Sequence, residues 1–311
     1  MAVVGGAAII ADPAHAASEK ANRLTIIVKV KGRWQVGSSS ATTLNANTVP
    51  EDPTIAALIR PAHEKVLAYV NSVIGTCTQA MSAATSRYED TAAMDFINQV
   101  QAQEVKAHLT GAAAGLPVLS IAAPFNKAAA IPQGSVTVRD VAGLYIYDNT
   151  LLGIQFSGAQ VKAYLEKSAE YFKPVPGPGT YAAADVTNAA TVAAPNGTPD
   201  YNYDIMWGLD ARLTYDIDLA APVGSRVVGL SYDGAPVADS QQFGVAINNY
   251  RQSGGGGFPG VTTAPVVYNK QLEIRQLIID WVTAHGVVDP PSFFTIDWKL
   301  TASGTPLTIT P

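Results

Sequence analysis

Two tyrosine-bearing segments and a run of glycines are the parts of this sequence best suited to chemistry. Asn248-Asn249-Tyr250-Arg251 leads directly into Ser253-Gly-Gly-Gly-Gly-Phe258-Pro-Gly260. A tyrosine at a strand end beside a glycine loop can project over a flat ligand, and asparagine amides can hydrogen-bond the polar edges of a sugar or base. Glycines suit a backbone that passes close to something, because no Cβ stands in the way. Gly255-x-Gly257-x-x-Gly260 satisfies the dinucleotide fingerprint in letters only. Pro259 interrupts it and no helix signal follows, so no helix N-terminus is predicted to face a pyrophosphate. A Gly-Lys-Ser/Thr phosphate loop is absent as well. The second segment, Leu144-Tyr145-Ile146-Tyr147-Asp148-Asn149, spaces two tyrosines so that a strand would turn both to one side, with Asp148-Asn149 as the turn. Tyr201-Asn202-Tyr203-Asp204 is aromatic and polar, and reads as a hairpin edge. On spacing and composition alone, half-buried packing tyrosines are favoured over a binding site.

Composition narrows the field. The chain has 311 residues, 48% apolar and 14% charged, with a formal net charge of −5. That is enough to bury a sizeable core and the reverse of a disordered composition. There is no basic excess to neutralise nucleic-acid phosphates. Cys77 is the sole cysteine, and the four histidines, His15, His63, His108 and His285, are far apart. Neither a disulfide nor a histidine-built metal centre is expected. Asp210, Asp216 and Asp218 alternate outward along strand patterns and read as solvated. No Gly-x-Ser-x-Gly elbow is present. The apolar stretch from Met1 to Ala17 ends in Ala-His-Ala, as a signal peptide could, but lacks leading positive charge and contains glycines; a buried strand or a leftover from a preceding domain is the favoured alternative.

These residues need elements to hold them. Arg23–Val30 and Trp34–Val36 read as strands joined by a Lys31-Gly32 turn, and the Ser/Thr/Asn-rich residues 37–51 as linker. Asp52-Pro53 opens a helix that Gly75 should stop and Pro61 should kink or restart. A second helix begins near Asp90 with Met94, Ile97, Val100 and Val105 inward. Pro117–Ala122 and Leu151–Phe156 read as strands, the latter running into the capping box Ser157–Gln160 of a helix with Val161, Leu165 and Phe172 inward. Residues 180–200 read as a mobile loop. Strands follow at Arg212–Ile217, Arg226–Tyr232 and Gln242–Ile247, then a helix over Gln271–Ala284 ending at Gly286. Strands and helices without strict βαβ alternation imply a layered α+β domain.

In these segments the sequence resembles the C-terminal domain of the 5′-nucleotidase family. The resemblance is carried by Leu144-Tyr-Ile-Tyr-Asp-Asn-Thr-Leu151, Ser157-Gly-Ala-Gln-Val-Lys-Ala-Tyr-Leu-Glu166, Tyr201-Asn-Tyr-Asp-Ile205, Ala220-Ala-Pro-Val-Gly-Ser-Arg226 and Asn248-Asn-Tyr-Arg-Gln-Ser-Gly-Gly255. With Leu119-Ser-Ile-Ala-Ala-Pro-Phe125, it is most similar to the bacterial 2′,3′-cyclic-nucleotide 2′-phosphodiesterase/3′-nucleotidase branch.

The resemblance implies an α/β/β/α layered, nucleoside-binding domain over residues 76–311. Residues 38–75 would be a linker and connecting helix, and residues 1–37 remnant strands of a metallophosphoesterase domain, or a leader. It implies a base stacked between Tyr147 and Tyr250, with Asn249 beside one ring and Gly254, Gly255 and Gly256 beneath the base. Ser120 would lie near the ribose, and Arg251 and Arg87 are candidates for ribose or phosphate contacts. Phe125 stands where some relatives carry an arginine, and Gly256 where some carry an acid, so neither a phosphate grip nor base-edge selection is implied at those positions. No cofactor is expected in this chain. Two divalent metals are expected in the metallophosphoesterase domain, which would be its partner, and the setting would be periplasmic or extracellular. A free-standing binding or structural module that has lost the phosphoesterase role is the alternative.

Overall fold

A computed structural model describes residues 2–4, 7–14, 19–31, 33–45, 50–188 and 197–311. They form two compact units, Met1–Leu67 and Ala68–Pro311. In the first, β1 (Ala2–Val4), β2 (Ala7–Ala14), β3 (Glu19–Val30) and β4 (Arg33–Asn45) make an antiparallel sheet in that order. The expected linker therefore begins later than its composition suggests. Ser38–Asn45 pair with β3, and ladder hydrogen bonds satisfy a Ser/Thr-rich backbone as well as any other. Of the stretch that could be a leader, Ala7–Ala14 pairs with β3, while His15–Ala17, like Gly32 of the expected turn, lies outside the described residues.

Helix α1 (Pro53–Val70) starts as expected, with the Thr54 and Ile55 N–H groups donating to Asp52 Oδ1 at 2.8 and 3.1 Å. It runs through Pro61 as one helix and ends at Val70 rather than Gly75. Gly75 instead sits inside β5 (Val73–Cys77), where a Cβ would meet Val282 Cγ1 at 2.8 Å and the Gly286 carbonyl at 3.0 Å. Its missing side chain serves close packing, not a helix stop.

The second unit continues through β6 (Met81–Ser82), α2 (Ala92–His108), β7 (Val118–Ala122), β8 (Ala130–Ile131), β9 (Gly134–Thr137), α3 (Val138–Leu144), β10 (Thr150–Ser157) and α4 (Gly158–Ala169). After these come β11 (Thr180–Ala182), α5 (Ala183–Val186), β12 (Ile205–Gly208), β13 (Leu213–Asp218), β14 (Val227–Tyr232), β15 (Ala235–Pro236), β16 (Gln242–Asn248) and α6 (Asn249–Gln252). The chain closes with β17 (Val266–Glu273), α7 (Ile274–His285), β18 (Val287–Val288), β19 (Trp298–Ala302), β20 (Thr305–Pro306) and β21 (Thr308–Thr310). Thr180–Val186 is thus ordered into a strand and a turn of helix, not loop, because β11 pairs with β21; residues 189–196 lie outside the described residues.

The central sheet has the order β12-β7-β16-β10-β17 and a second sheet the order β15-β14-β13-β19-β20. Side-chain alternation along β10 shows the layering. A Cβ on Gly153 would touch Val105 of α2 at 2.9 Å, whereas the Phe156 ring lies 6.3 Å from Tyr164 of α4. Residues of odd and even number face opposite sides of a strand, so α2 and α4 cover opposite faces. Phe243, paired with Phe156 across the ladder, meets Tyr232 of the second sheet at 5.2 Å. The domain is α+β and layered, as expected. Met94, Ile97, Val100 and Val105 of α2 and Val161, Leu165 and Phe172 are all buried. The Ser157–Gln160 capping box is formed in both directions. Gly286 ends α7 at φ 71°, in the left-handed region glycine favours.

Candidate functional site

Strand order and direction bring four aromatic side chains to one edge of the central sheet. Leu151 at the start of β10 pairs with Asn248 at the end of β16, so Tyr147 before one and Tyr250 after the other emerge together. Strand β7 runs parallel to β16 and therefore also ends at this edge, delivering Phe125. Strand β12 is antiparallel to β7, with Ile205 opposite Ala122, so it starts there, preceded by Tyr201. Phe125, Tyr147, Asn149, Tyr201 and Tyr250 line a cavity of about 300 Å³, at the small end of ligand-site volumes.

The rings are arranged as two edge-on pairs. Phe125 meets Tyr147 at 5.1 Å and 84°, and Tyr201 meets Tyr250 at 6.4 Å and 79°. Tyr147, Tyr201 and Tyr250 are each 40–43% exposed, so their faces are available to a ligand. Phe125 also packs edge-on against buried Tyr145 at 5.0 Å, which holds the Phe125–Tyr147 wall from beneath.

Local structure explains how each residue is held. Tyr145 and Tyr147 do not share a strand face as their alternation suggests. The residues before them form α3, capped by Thr137 and Asp140, and the chain leaves that helix irregularly, burying Tyr145 and exposing Tyr147. Burial pushes the Tyr145 phenol well above its ordinary range, and Asn149 Nδ2 donates to its oxygen at 3.2 Å. The neighbouring Asp148 forms an ion pair with Arg275 of α7, and the Asn149 carbonyl accepts from the Ile274 N–H at 2.9 Å. Asn249 is exposed, and its Oδ1 accepts from the Thr150 N–H at 3.1 Å, clamping the start of β10 to the end of β16. Asn149, not Asn249, is the amide that lines the cavity.

Gly254, Gly255 and Gly256 are not among the residues that line the cavity; Gly255 backs the Tyr250 ring, while Gly254 faces Thr262 and Gly256 faces Arg251, Asn202 and Phe258. A Cβ on Gly255 would lie 2.4–2.6 Å from three atoms of that ring. Gly254 and Gly256 have φ of 99° and 79°, which only glycine adopts without strain.

Two expected contact residues are sealed inside the protein. Ser120 is buried in β7, where its Oγ accepts from Gln101 Nε2 of α2 at 3.0 Å; it faces the helix and cannot reach a ribose. Arg251 is 1% exposed. Its Nε donates to Asp204 Oδ2 at 2.6 Å and its Nη2 to Asp204 Oδ1 at 3.1 Å. Burial alone would lower the guanidinium pKa, but the Asp204 charge and its hydrogen bonds reverse that and the net shift is upward. Arg251 is therefore a committed internal cation, not a ligand contact. Arg87 is half-buried, and no cavity of this site includes it. Asp210 is also engaged, pairing with Lys106 at 3.0 Å and accepting from the Val118 N–H at 2.8 Å. Among the described residues no group of three or more His, Cys, Asp or Glu could hold a metal ion.

Phe125, Asn149 and Tyr201 line the cavity without being expected to; Tyr201 reads in the sequence as a hairpin edge. Its signal was the Tyr-Asn-Tyr-Asp run, but only the antiparallel pairing of β12 with β7 carries it to the other rings.

Residues 73–263 match the sequence profile of the 5′-nucleotidase C-terminal domain. The chain belongs to that family. It is 31% identical over 314 residues to the 2′,3′-cyclic-nucleotide 2′-phosphodiesterase/3′-nucleotidase of Haemophilus influenzae, covering 89% of this chain and 46% of that protein. It is 30% identical over 305 residues to the trifunctional nucleotide phosphoesterase protein YfkN of Bacillus subtilis, covering 90% of this chain and 20% of that one. This 5′-nucleotidase C-terminal domain chain thus spans less than half the length of either relative. Its fold is similar to that of a Staphylococcus aureus protein assigned as a 5′-nucleotidase, with a TM-score of 0.65, 23% identity, and coverage of 90% and 50% of the two chains.

Proposed function

We propose that this chain is the nucleoside-binding part of a nucleotide phosphoesterase, and that the cavity at the sheet edge takes the base between Tyr147 and Tyr250. The observation that carries this reading is the cavity's character: its lining is four aromatic rings and one amide, without a charged side chain. Such a lining favours a flat, uncharged heterocycle over a phosphate. Aromatic stacking contributes about 1–3 kcal/mol per base and tolerates every base, because each has a π-face. Asn149 supplies the one polar side chain that is not a phenol, within reach of a base or sugar edge. Tyr201 and Phe125 brace the two stacking rings edge-on, an arrangement that aromatic quadrupoles favour.

Phosphoester hydrolysis in this reading requires two divalent metals, and the donor set of the described residues does not fit them. The role of this chain is then to bind and orient the nucleoside, and the metals belong to a metallophosphoesterase domain as partner. No helix of the described residues is long and apolar enough to cross a membrane. A periplasmic or extracellular setting is part of the same proposal, supported by a Thermus thermophilus protein of similar fold that is a 5′-nucleotidase precursor.

Calorimetric titration with adenosine and 3′-AMP, without added metal, tests the reading. Both ligands should bind saturably and with similar affinity, since the cavity grips the part they share. Tyr147→Ala or Tyr250→Ala should each weaken binding by about five- to a hundredfold, the equivalent of one lost stacking contact. Absence of saturable heat at millimolar ligand, or affinity indifferent to both substitutions, would overturn it.

A further inference from the structure

The buried Arg251–Asp204 pair reaches further than one ion pair needs to. Besides its two bonds to Asp204, Arg251 donates through Nη1 to Asn202 Oδ1 at 3.2 Å and to the Gly255 carbonyl at 3.3 Å, and through Nη2 to the Tyr201 carbonyl. Its guanidinium carbon lies 5.4 Å from the centre of the Tyr250 ring and 4.6 Å from that of Phe258. Asp204 is fixed independently from below. Tyr164 donates its hydroxyl to Oδ2 at 2.6 Å, and Ser168 of α4 bonds both the Asp204 carbonyl and its N–H.

One side chain therefore ties the segment carrying Tyr201 to the loop that backs Tyr250. Both segments are otherwise irregular backbone: Asp200–Asn202 is a single turn, and the loop contains consecutive glycines. Irregular, glycine-rich chain has no ladder to set its position, so its geometry must come from side-chain bonds. A planar fork with five N–H donors can serve several acceptors at fixed angles, which a lysine ammonium cannot.

We propose that Arg251 is a positioning residue that sets the spacing of the Tyr201 and Tyr250 walls, and so the ligand-competent width of the cavity. The part concerning ligand rests on the nucleoside reading above. The part concerning the walls does not.

The test uses the whole chain labelled with 3-fluorotyrosine. The resonances of Tyr147, Tyr201 and Tyr250 are assigned by Tyr→Phe variants and followed by fluorine NMR without ligand. In Arg251→Lys, which keeps the buried charge, the Tyr201 and Tyr250 resonances should shift or broaden while that of Tyr147 stays in place. Adenosine affinity should fall at least tenfold. Asp204→Asn, which keeps the shape but removes the anion that orients the guanidinium, should produce the same pattern. Uniform change across all three tyrosines, or none at Tyr201 and Tyr250, would overturn the proposal. So would a local shift that leaves affinity unchanged. Failure of the unsubstituted chain to bind adenosine would instead overturn the nucleoside reading, and the wall-spacing role would then be decided by the ligand-free spectra alone.

Discussion

Gly255→Ala offers a direct test of how the clamp is supported. The new methyl carbon would sit 2.4 Å from the nearest atom of the Tyr250 ring, against about 3.4 Å for ordinary contact, so the ring must retreat by about 1 Å. The three atoms nearest the new methyl all belong to that ring. Gly255 does not have a positive φ, so alanine brings no backbone strain, and the ring is 43% exposed and free to yield. Stability should therefore change by no more than about 0.5 kcal/mol, the usual range for surface substitutions. The ring, however, is pushed about 1 Å away from the loop that backs it and toward the cavity, so the space for a stacked base narrows below van der Waals contact. Loss of that stack is equivalent to about 1–3 kcal/mol, or about five- to a hundredfold in adenosine affinity. Thermal unfolding and calorimetry on the same sample read both quantities. Unchanged affinity at unchanged stability would refute the argument that Tyr250 stacks on the ligand from this position. The adjacent Gly256→Ala should behave differently. It combines a φ of 79° with contacts of 2.9 Å to Arg251, Asn202 and Phe258, so stability should fall with affinity.

Other consequences lie outside the cavity. Burial pushes the Asp90 carboxyl up to about 7, and the nearby Asp297 charge adds to the effect. An unfolded aspartate titrates near about 3.9, so between those values the folded state holds a proton that the unfolded chain has released. The stability this confers is complete below the lower value and is lost as pH rises to about 7. The urea midpoint should fall from pH 5 to pH 8, and fall less in Asp90→Asn, whose amide oxygen can still accept from the Asp297 N–H; equal falls would assign the slope elsewhere. Gly153→Ala should cost about 1–3 kcal/mol by overpacking, since its Cβ would lie 2.9 Å from both Tyr268 and Val105; a thermal midpoint matching that of the unsubstituted chain would contradict this. Cys77 is buried, its thiol pKa raised first by that burial, with Sγ donating to the Gln79 carbonyl at 2.9 Å. It should resist a disulfide-exchange reagent until denaturant unfolds the chain, and rapid native-state labelling would contradict that.

Elements whose signals are local were legible in the sequence. The Ser157–Gln160 capping box, the Asp52 cap and the Gly286 stop act through atoms a few residues apart, and each formed as read. Strand β4 was legible only in its first residues, because the Ser/Thr-rich remainder is a strand by virtue of pairing with β3. The same limit applies to Gly75, whose role depends on Val282 and Gly286, more than two hundred residues away in sequence.

The sequence by itself determined the family, the α+β class and the pair of tyrosines worth attention, since motifs and hydrophobic periods are properties of order along the chain. Tertiary structure alone decided which candidates face solvent and which are sealed. Ser120 and Arg251 carry the right functional groups, but their strand and helix turn them inward, where Gln101 and Asp204 take up their hydrogen bonds. Tyr201, Phe125 and Asn149 become cavity walls because adjacent strands happen to start and end at one sheet edge. Pairing register and burial join residues distant in sequence, and a single chain read in order contains no local term that fixes either.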